Sequence, residues 1–216
     1  IEQNVLGERV GSQDQVNAAY GGLNHILFHP GGEIEVREVD ISANQRRELK
    51  DNLMLFYTGI MRTAETVASS YLENLVEQRE RLTRMSQFVD EALDIVSGDR
   101  DLRSFGELLH QNWIEKRSLS QLVSNSRVDE IYRAARSAGA LGGKLTGAGG
   151  GGMMLLYVPK EYQIQVREKL SQLLYIPFDF TDSGSEIIFR DIQARYDEAV
   201  SRPAELGKFI EVDELK

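Results

Sequence analysis

The order of hydrophobic and polar residues at the start of the chain predicts a helix followed by a β-hairpin. The helix covers residues 12–20, and Ser12 is placed to cap its N-terminus. Residues 23–29 are largely apolar, and residues 33–41 alternate charged and apolar positions, which is typical of a half-buried strand. The sequence Pro30-Gly31-Gly32 between them is typical of a turn, so the two segments predict a hairpin.

The remaining pattern predicts helices mixed with strands. Residues 52–58 are almost continuously apolar, as expected of a strand that is covered on both faces. Apolar residues then recur near the 3.6-residue helical spacing from Arg62 to about residue 96, which predicts one long helix. Further helices are predicted over 101–115, 128–138 and 161–174, and further strands over 153–158, 175–180 and 185–190. This mixture predicts an α+β sandwich, in which helices pack on one face of an antiparallel sheet.

A polar segment at residues 42–50 separates two strand patterns and marks the predicted domain boundary. We therefore expect two domains, over residues 1–45 and residues 46–216. The chain begins at Ile1 and enters what looks like the middle of a pattern, so we expect it to be a fragment of a longer polypeptide.

Composition narrows the possible functions. Of the 216 residues, 41% are hydrophobic and 27% charged, which is typical of a globular protein. The net charge of -9 argues against non-specific binding of nucleic acid, which requires a basic surface, but leaves room for a phosphorylated metabolite. There is no cysteine, and the three histidines lack the spacing of a zinc site, so no metal ligand is predicted. Without an apolar run of roughly 18 residues or a signal peptide, we expect a cytoplasmic protein with no membrane partner.

The segment with the clearest chemical potential is residues 144–152, Lys-Leu-Thr-Gly-Ala-Gly-Gly-Gly-Gly, which runs into the apolar segment from residue 153. Glycine reaches backbone conformations with φ > 0 and lets a ligand approach closely. Such a loop can direct successive backbone N–H groups toward an anion, most often a phosphate. A plain turn is the alternative for this segment, and a solvated side chain is the alternative to phosphate contact for Lys144.

A second candidate is Asp14, in the first turn of the predicted helix, where the helix dipole favours a carboxylate. There it is placed to accept a proton from a substrate hydroxyl, although aspartate is also common near helix starts as a capping residue. The neighbouring Gln13 and Gln15 are either surface polar residues or contacts to sugar hydroxyls.

In combination the two segments resemble those of the GHMP kinases, the superfamily of galactokinase, homoserine kinase, mevalonate kinase and phosphomevalonate kinase. Residues 11–22 resemble the segment that carries its catalytic aspartate, and residues 144–152 resemble its third motif. The likeness is strongest to the D-glycero-D-manno-heptose 7-phosphate kinases and extends over roughly residues 5–190. The residues that carry it are Gln13-Asp14-Gln15, Gly21-Gly22-Leu23-Asn24, Leu55-Phe56-Tyr57-Thr58-Gly59 and Trp113-Ile114-Glu115-Lys116-Arg117-Ser118-Leu119-Ser120.

The resemblance implies a ferredoxin-like C-terminal kinase domain over residues 46–216 and the tail of a ribosomal-S5-like N-terminal domain over residues 1–45. The family's ATP-phosphate loop and N-terminal substrate motif would lie upstream of Ile1, so the isolated chain is expected to be inactive. The resemblance further implies ATP and Mg²⁺ as cofactors and a phosphorylated sugar as the substrate, phosphorylated on its anomeric hydroxyl. Asp14 would be the catalytic base.

The same resemblance assigns the remaining site residues. The residues expected at the nucleotide are Thr146, Gly147, Ala148, Gly149 and Gly150. Those expected at the sugar are Gln13, Gln15, Tyr57 and Thr58, and Arg62 is a further candidate for the sugar phosphate. Another sugar kinase of the family, similar to fucokinases, and a non-catalytic ligand-binding module remain as alternatives.

Overall fold

Two antiparallel sheets with associated helices make up the described part of the chain, which comprises residues 11–61, 64–72, 76–98 and 100–189 of a computed structural model. The strands are β1 Asn24–Phe28, β2 Ile34–Glu38, β3 Leu53–Tyr57, β4 Gly142–Leu145, β5 Met153–Tyr157 and β6 Leu174–Ile176. The helices are α1 Gln13–Tyr20, α2 Ala43–Asn52, α3 Ala64–Leu72, α4 Arg79–Ser97, α5 Arg103–Arg117, α6 Ser126–Ser137 and α7 Gln163–Lys169, with a short 3₁₀ helix at Lys160–Tyr162. No helix in these ranges is long and apolar enough to cross a membrane.

The hairpin predicted near the N-terminus is present. β1 and β2 pair antiparallel, with Asn24 opposite Glu38 and Phe28 opposite Ile34. Gly32 has a φ of 87°, a conformation that side-chain-bearing residues rarely adopt, so glycine suits the turn between the two strands.

The larger sheet has the strand order β4-β5-β3-β6 and is antiparallel throughout. Alternate residues of its central strands, such as Phe56 and Leu156, are buried in a first hydrophobic cluster. The helices supply Val67 of α3, Trp113 of α5, Tyr132 of α6 and Val166 of α7 to that cluster. A second cluster joins Tyr157 of β5 to residues of α4 and α5. The predicted α+β class with an antiparallel sheet and packed helices is therefore confirmed.

The polar segment at residues 42–50, which marks the predicted domain boundary, lies largely in helix α2. Its start is set by Ser42, whose hydroxyl accepts a hydrogen bond from the Gln45 amide over 3.2 Å. Only Leu49 and Asn52 of this helix are buried, so its sequence lacks the wide apolar stripe by which helices are recognised. The described residues up to Ser185 form one compact unit, and the domain boundary near residue 45 stays a prediction.

The long helix predicted over residues 62–96 is wrong, because two helices, α3 and α4, occupy that stretch with a turn at residues 76–78. Val67 of α3 packs in the first cluster, whereas Phe88 and Ile95 of α4 pack in the second. Leu82 and Met85 at the start of α4 pack against the first cluster as well, so α4 reaches both clusters. Arg62 lies outside the described residues.

Three strand predictions also need correction. β4 was missed because Gly142 and Gly143, which occupy half of it, have a low strand propensity. The strand predicted over residues 175–180 ends at Ile176, since the following Pro177 has no N–H for the ladder. Residues 185–189 are irregular, and the end of that predicted strand at residue 190 is outside the described ranges.

Candidate active site

A cleft of about 750 Å³ brings together the two segments that the sequence singled out. Asp14, with Gln13 and Gln15 beside it, reaches the cleft from the first turn of α1. Thr146, Gly147 and Ala148 line it from the loop between β4 and β5, which we call the glycine loop (residues 146–152). The other lining residues are Gly11, Ala68, Tyr71, Leu109, Lys116, Lys144 and Leu155.

The glycine loop has a defined conformation that requires its glycines. Gly147, Gly149, Gly150 and Gly152 have φ values of 67°, 112°, 78° and 85°, which L-residues with a Cβ adopt only with strain. At Gly151 a Cβ would lie 2.4 Å from the Ile60 carbonyl oxygen, so close packing also excludes a side chain. Nothing lies within 4 Å of the Cβ position of Gly147, so the backbone there faces open space in the cleft wall.

Two other segments of the chain hold the glycine loop in place. The Thr58 amide and hydroxyl both donate to the Gly152 carbonyl oxygen, over 2.9 and 2.8 Å. The Gly150 amide donates to the Val123 carbonyl oxygen over 2.8 Å, and the Asn125 side-chain amide donates to the Gly150 carbonyl oxygen over 2.9 Å. The loop is therefore anchored along its second half, while its first half borders the cleft.

The other predicted site residues that the structure describes do not line the cleft. Thr58 is 5% exposed and lies on the strand side of the loop, so its hydroxyl holds the loop and does not line the cleft. Tyr57 is half-buried at the end of β3 and does not line the cleft either. Gly149 and Gly150 belong to the anchored half of the loop.

Asp14 lies exposed in the first turn of α1, as the sequence predicts. Ser12 occupies the N-cap position, but its side chain makes no capping hydrogen bond. The positive end of the α1 dipole therefore acts on Asp14, the one acidic residue of the first turn. Among the described residues that line the cleft, Asp14 carries the only carboxylate.

Two lysines bring positive charge to the same cleft. Lys116, in the last turn of α5, donates from Nζ to the carbonyl oxygen of Gly147 and, over 3.4 Å, to that of Leu145. Burial, together with the charge of Lys144, lowers the pKa of Lys116 to about 7, against a smaller opposing effect of Asp14. Burial also lowers the pKa of Lys144, and Asp14 again opposes it.

Lys116 is the functional candidate that sequence reasoning missed. The sequence analysis names Lys116 only as part of the segment Trp113–Ser120, which contributes to the resemblance. A lysine in the last turn of a helix is ordinarily explained by its favourable interaction with the helix dipole. The available signal was its position three residues after Trp113, which is fully buried. That spacing places both side chains on one face of α5, the face directed to the rest of the protein.

The described part of the chain contains no group of three or more metal-binding side chains. With one carboxylate in the cleft, these residues do not form an all-protein cage for a divalent cation. Mg²⁺ commonly binds through substrate phosphates with few protein ligands, so a cation would enter this cleft with its phosphate ligand.

Comparisons with known proteins show which proteins the chain is similar to. Residues 88–176 match the family described as GHMP kinases C terminal. The chain is 29% identical over 188 residues to D-glycero-alpha-D-manno-heptose 7-phosphate kinase of Campylobacter jejuni, covering 85% of this chain and 55% of that protein. It is 27% identical to the bifunctional fucokinase/GDP-fucose pyrophosphorylase of Arabidopsis thaliana, covering 80% of this chain and 17% of that protein.

A solved structure gives the same fold. The D-glycero-D-manno-heptose 1-phosphate kinase from Bacteroides thetaiotaomicron superposes with a TM-score of 0.60 at 22% identity, covering 85% of this chain and 50% of that one. The chain thus spans about half the length of the heptose-phosphate kinases that it matches.

Proposed function

Residues 88–176 belong to the GHMP kinase C-terminal family, and from this premise we propose that the whole protein is an ATP-dependent sugar kinase. The observation that carries the proposal is the cleft, where the Asp14 carboxylate, two lysine ammonium groups and the glycine loop meet. The acceptor is the anomeric hydroxyl of D-glycero-D-manno-heptose 7-phosphate. Support for this substrate comes from the name of the Campylobacter jejuni relative.

Phosphoryl transfer demands positioning and charge stabilisation more than covalent chemistry from the protein. Asp14 accepts or orients the proton of the sugar hydroxyl, and Gln13 and Gln15 contact neighbouring hydroxyls. The nucleotide is the Mg²⁺ complex of ATP, which supplies the phosphoryl group. The exposed backbone at Gly147 and Ala148 borders its phosphates, where the absence of a side chain at Gly147 leaves room for close approach.

The test is ADP release by the full-length natural protein with ATP, Mg²⁺ and a panel of sugars. The panel holds the heptose 7-phosphate, free heptose, galactose, fucose and mevalonate. Turnover on the heptose 7-phosphate with little on the others supports the proposal. The isolated 216-residue chain, which covers 55% of the Campylobacter jejuni relative, is expected to show no turnover by itself.

The role of Asp14 is tested with Asp14→Asn, which keeps the size of the side chain and removes its basicity. We expect turnover to fall by about 10²- to 10⁴-fold, as for loss of a general base, while binding of the sugar changes little. Asp90→Asn, at an exposed position of α4, is the matched control. Near-normal turnover of Asp14→Asn would remove Asp14 from the mechanism.

A second candidate, a fucokinase-like sugar kinase, is supported by the Arabidopsis thaliana relative. Turnover on fucose in preference to the heptose phosphate would favour it. If well-folded full-length protein turns over none of the panel, a non-catalytic ligand-binding module becomes the leading interpretation.

A further inference from the structure

Lys144 presents an unusual cation to the cleft. It projects from β4, is half-buried, and its ammonium makes no hydrogen bond or ion pair with any residue that the structure describes. Partly burying a charged group costs free energy, because the group loses hydrogen bonds to water and gains no hydrogen bond or ion pair in their place. Burial lowers the pKa of Lys144 accordingly. Among the described residues, Asp14 supplies the favourable charge that acts on Lys144, and a ligand anion would add a direct partner.

Lys116 strengthens the argument because its ammonium lies close enough to Lys144 for the charge of Lys144 to lower its pKa. Hydrogen bonds to the carbonyl oxygens of Leu145 and Gly147 hold Lys116 at the start of the glycine loop. Asp14 is the only carboxylate among the described lining residues, so two cations face one anion. This local surplus of positive charge occurs in a chain whose net charge is -9.

We propose that Lys116 and Lys144 form a subsite for a phosphoryl group inside the cleft. A phosphate has the charge to neutralise both lysines and enough acceptor oxygens to take hydrogen bonds from each. The inference rests on the proposed function and deepens it, since it makes these two residues selective for a phosphorylated ligand. An unphosphorylated sugar would bring no anion to neutralise the two lysines, and a site built around a polar contact rejects a ligand that lacks it.

Two phosphoryl groups have this chemistry, namely the phosphate monoester of the sugar and the terminal phosphate of ATP. Lys144→Met and Lys116→Met in the full-length protein distinguish them. The variants keep most of the length of the side chain and remove its charge. Lys169→Met, on the exposed side of α7, is the matched control. Kinetics are measured at pH 6.5, below the pKa of about 7 of Lys116.

We expect the KM of the bound phosphoryl ligand to rise about 10- to 100-fold in each variant, as for loss of one charge-assisted hydrogen bond. A rise in the KM for the sugar phosphate identifies the monoester as the ligand, and a rise in the KM for ATP identifies its terminal phosphate. Lys144→Arg, which retains the charge, should recover part of the loss. If both KM values stay at those of Lys169→Met, the subsite is refuted.

A second measurement tests phosphate binding at the two lysines without depending on kinase activity. Thermal unfolding is followed with and without inorganic phosphate, at constant ionic strength set with sodium chloride. Binding to the folded state raises Tm by mass action, so phosphate should raise the Tm of the wild type and raise that of Lys144→Met less. If the wild type turns over no sugar, the kinase proposal fails while this comparison still decides the subsite. Equal Tm increases in both proteins would refute it.

Discussion

The contact between α5 and β4 sets the distance between Lys116 and Lys144, and Gly142 makes that contact possible. A Cβ at Gly142 would lie 1.9 Å from the Gly106 carbonyl oxygen and 2.7 Å from the His110 amide nitrogen. Both neighbours are backbone atoms of α5, which cannot rotate away as a side chain would. Substituting Gly142→Ala therefore forces the helix and the strand apart.

The size of the effect follows from these distances. Ordinary van der Waals contact begins near 3.4 Å, so α5 would need to retreat by about 1.5 Å. That helix carries buried Leu108 and Trp113, whose packing would loosen as it moves. Overpacking a core costs about 1–3 kcal/mol, and a clash of backbone with backbone favours the upper value. For a chain of this size, about 3 kcal/mol lowers Tm by about 6–12 °C.

The assay is thermal unfolding followed by circular dichroism, with Gly31→Ala as the control. Gly31 lies in the exposed turn between β1 and β2, has no positive φ, and has open space at its Cβ position. Its substitution should leave stability within about 1 kcal/mol of the wild type. If Gly142→Ala melts within 2 °C of the control, by the same order-of-magnitude relation, α5 and β4 do not pack this closely and the reasoning is refuted.

Two further predictions concern the lysines and the glycine loop. The pKa of Lys116 is lowered to about 7, and the groups that face it are Asp14 of α1, Lys144 of β4 and Tyr71 of α3. Its charge is present below that pKa and lost above it, so the KM of the phosphoryl ligand should rise about tenfold between pH 6.5 and 8.5. Lys116→Arg should flatten this profile, and an unchanged rise in that variant would contradict the assignment. Asn125→Ala removes both the cap of α6, where Asn125 accepts from the Val128 amide over 3.0 Å, and the hydrogen bond to Gly150. It should cost about 1–2 kcal/mol in the free energy of unfolding and lower turnover, and an unchanged Tm in the same melt would contradict this.

Local sequence signals were sufficient for much of the fold and part of the candidate site. The alternation before and after Pro30-Gly31-Gly32 predicted the hairpin, and the apolar run near residue 55 predicted the central strand β3. The glycine segment identified the loop because positive φ values leave few alternatives to glycine. The resemblance to GHMP kinases is confirmed by the family match over residues 88–176, which include the glycine segment.

Other elements depend on contacts between residues far apart in sequence. β4 exists because Gly143 and its neighbours pair with β5, although glycine disfavours strands. The helical spacing of apolar residues continues from α3 into α4, so it did not reveal the turn at residues 76–78 before α4 begins. Thr58 at the end of β3 is predicted as a sugar contact, and only the structure shows that its hydroxyl donates to the carbonyl oxygen of Gly152, 94 positions away.

The sequence by itself thus determined that the chain has a glycine loop, a carboxylate at a helix start and an antiparallel α+β core, because each depends on residue types close together. Only the tertiary structure decided that Asp14, Lys116 and Lys144 share one cleft. These residues come from α1, α5 and β4. The distance between Lys116 and Lys144 depends on how closely α5 packs on β4. That closeness is permitted by Gly142, whose missing side chain lets the backbones of β4 and α5 meet.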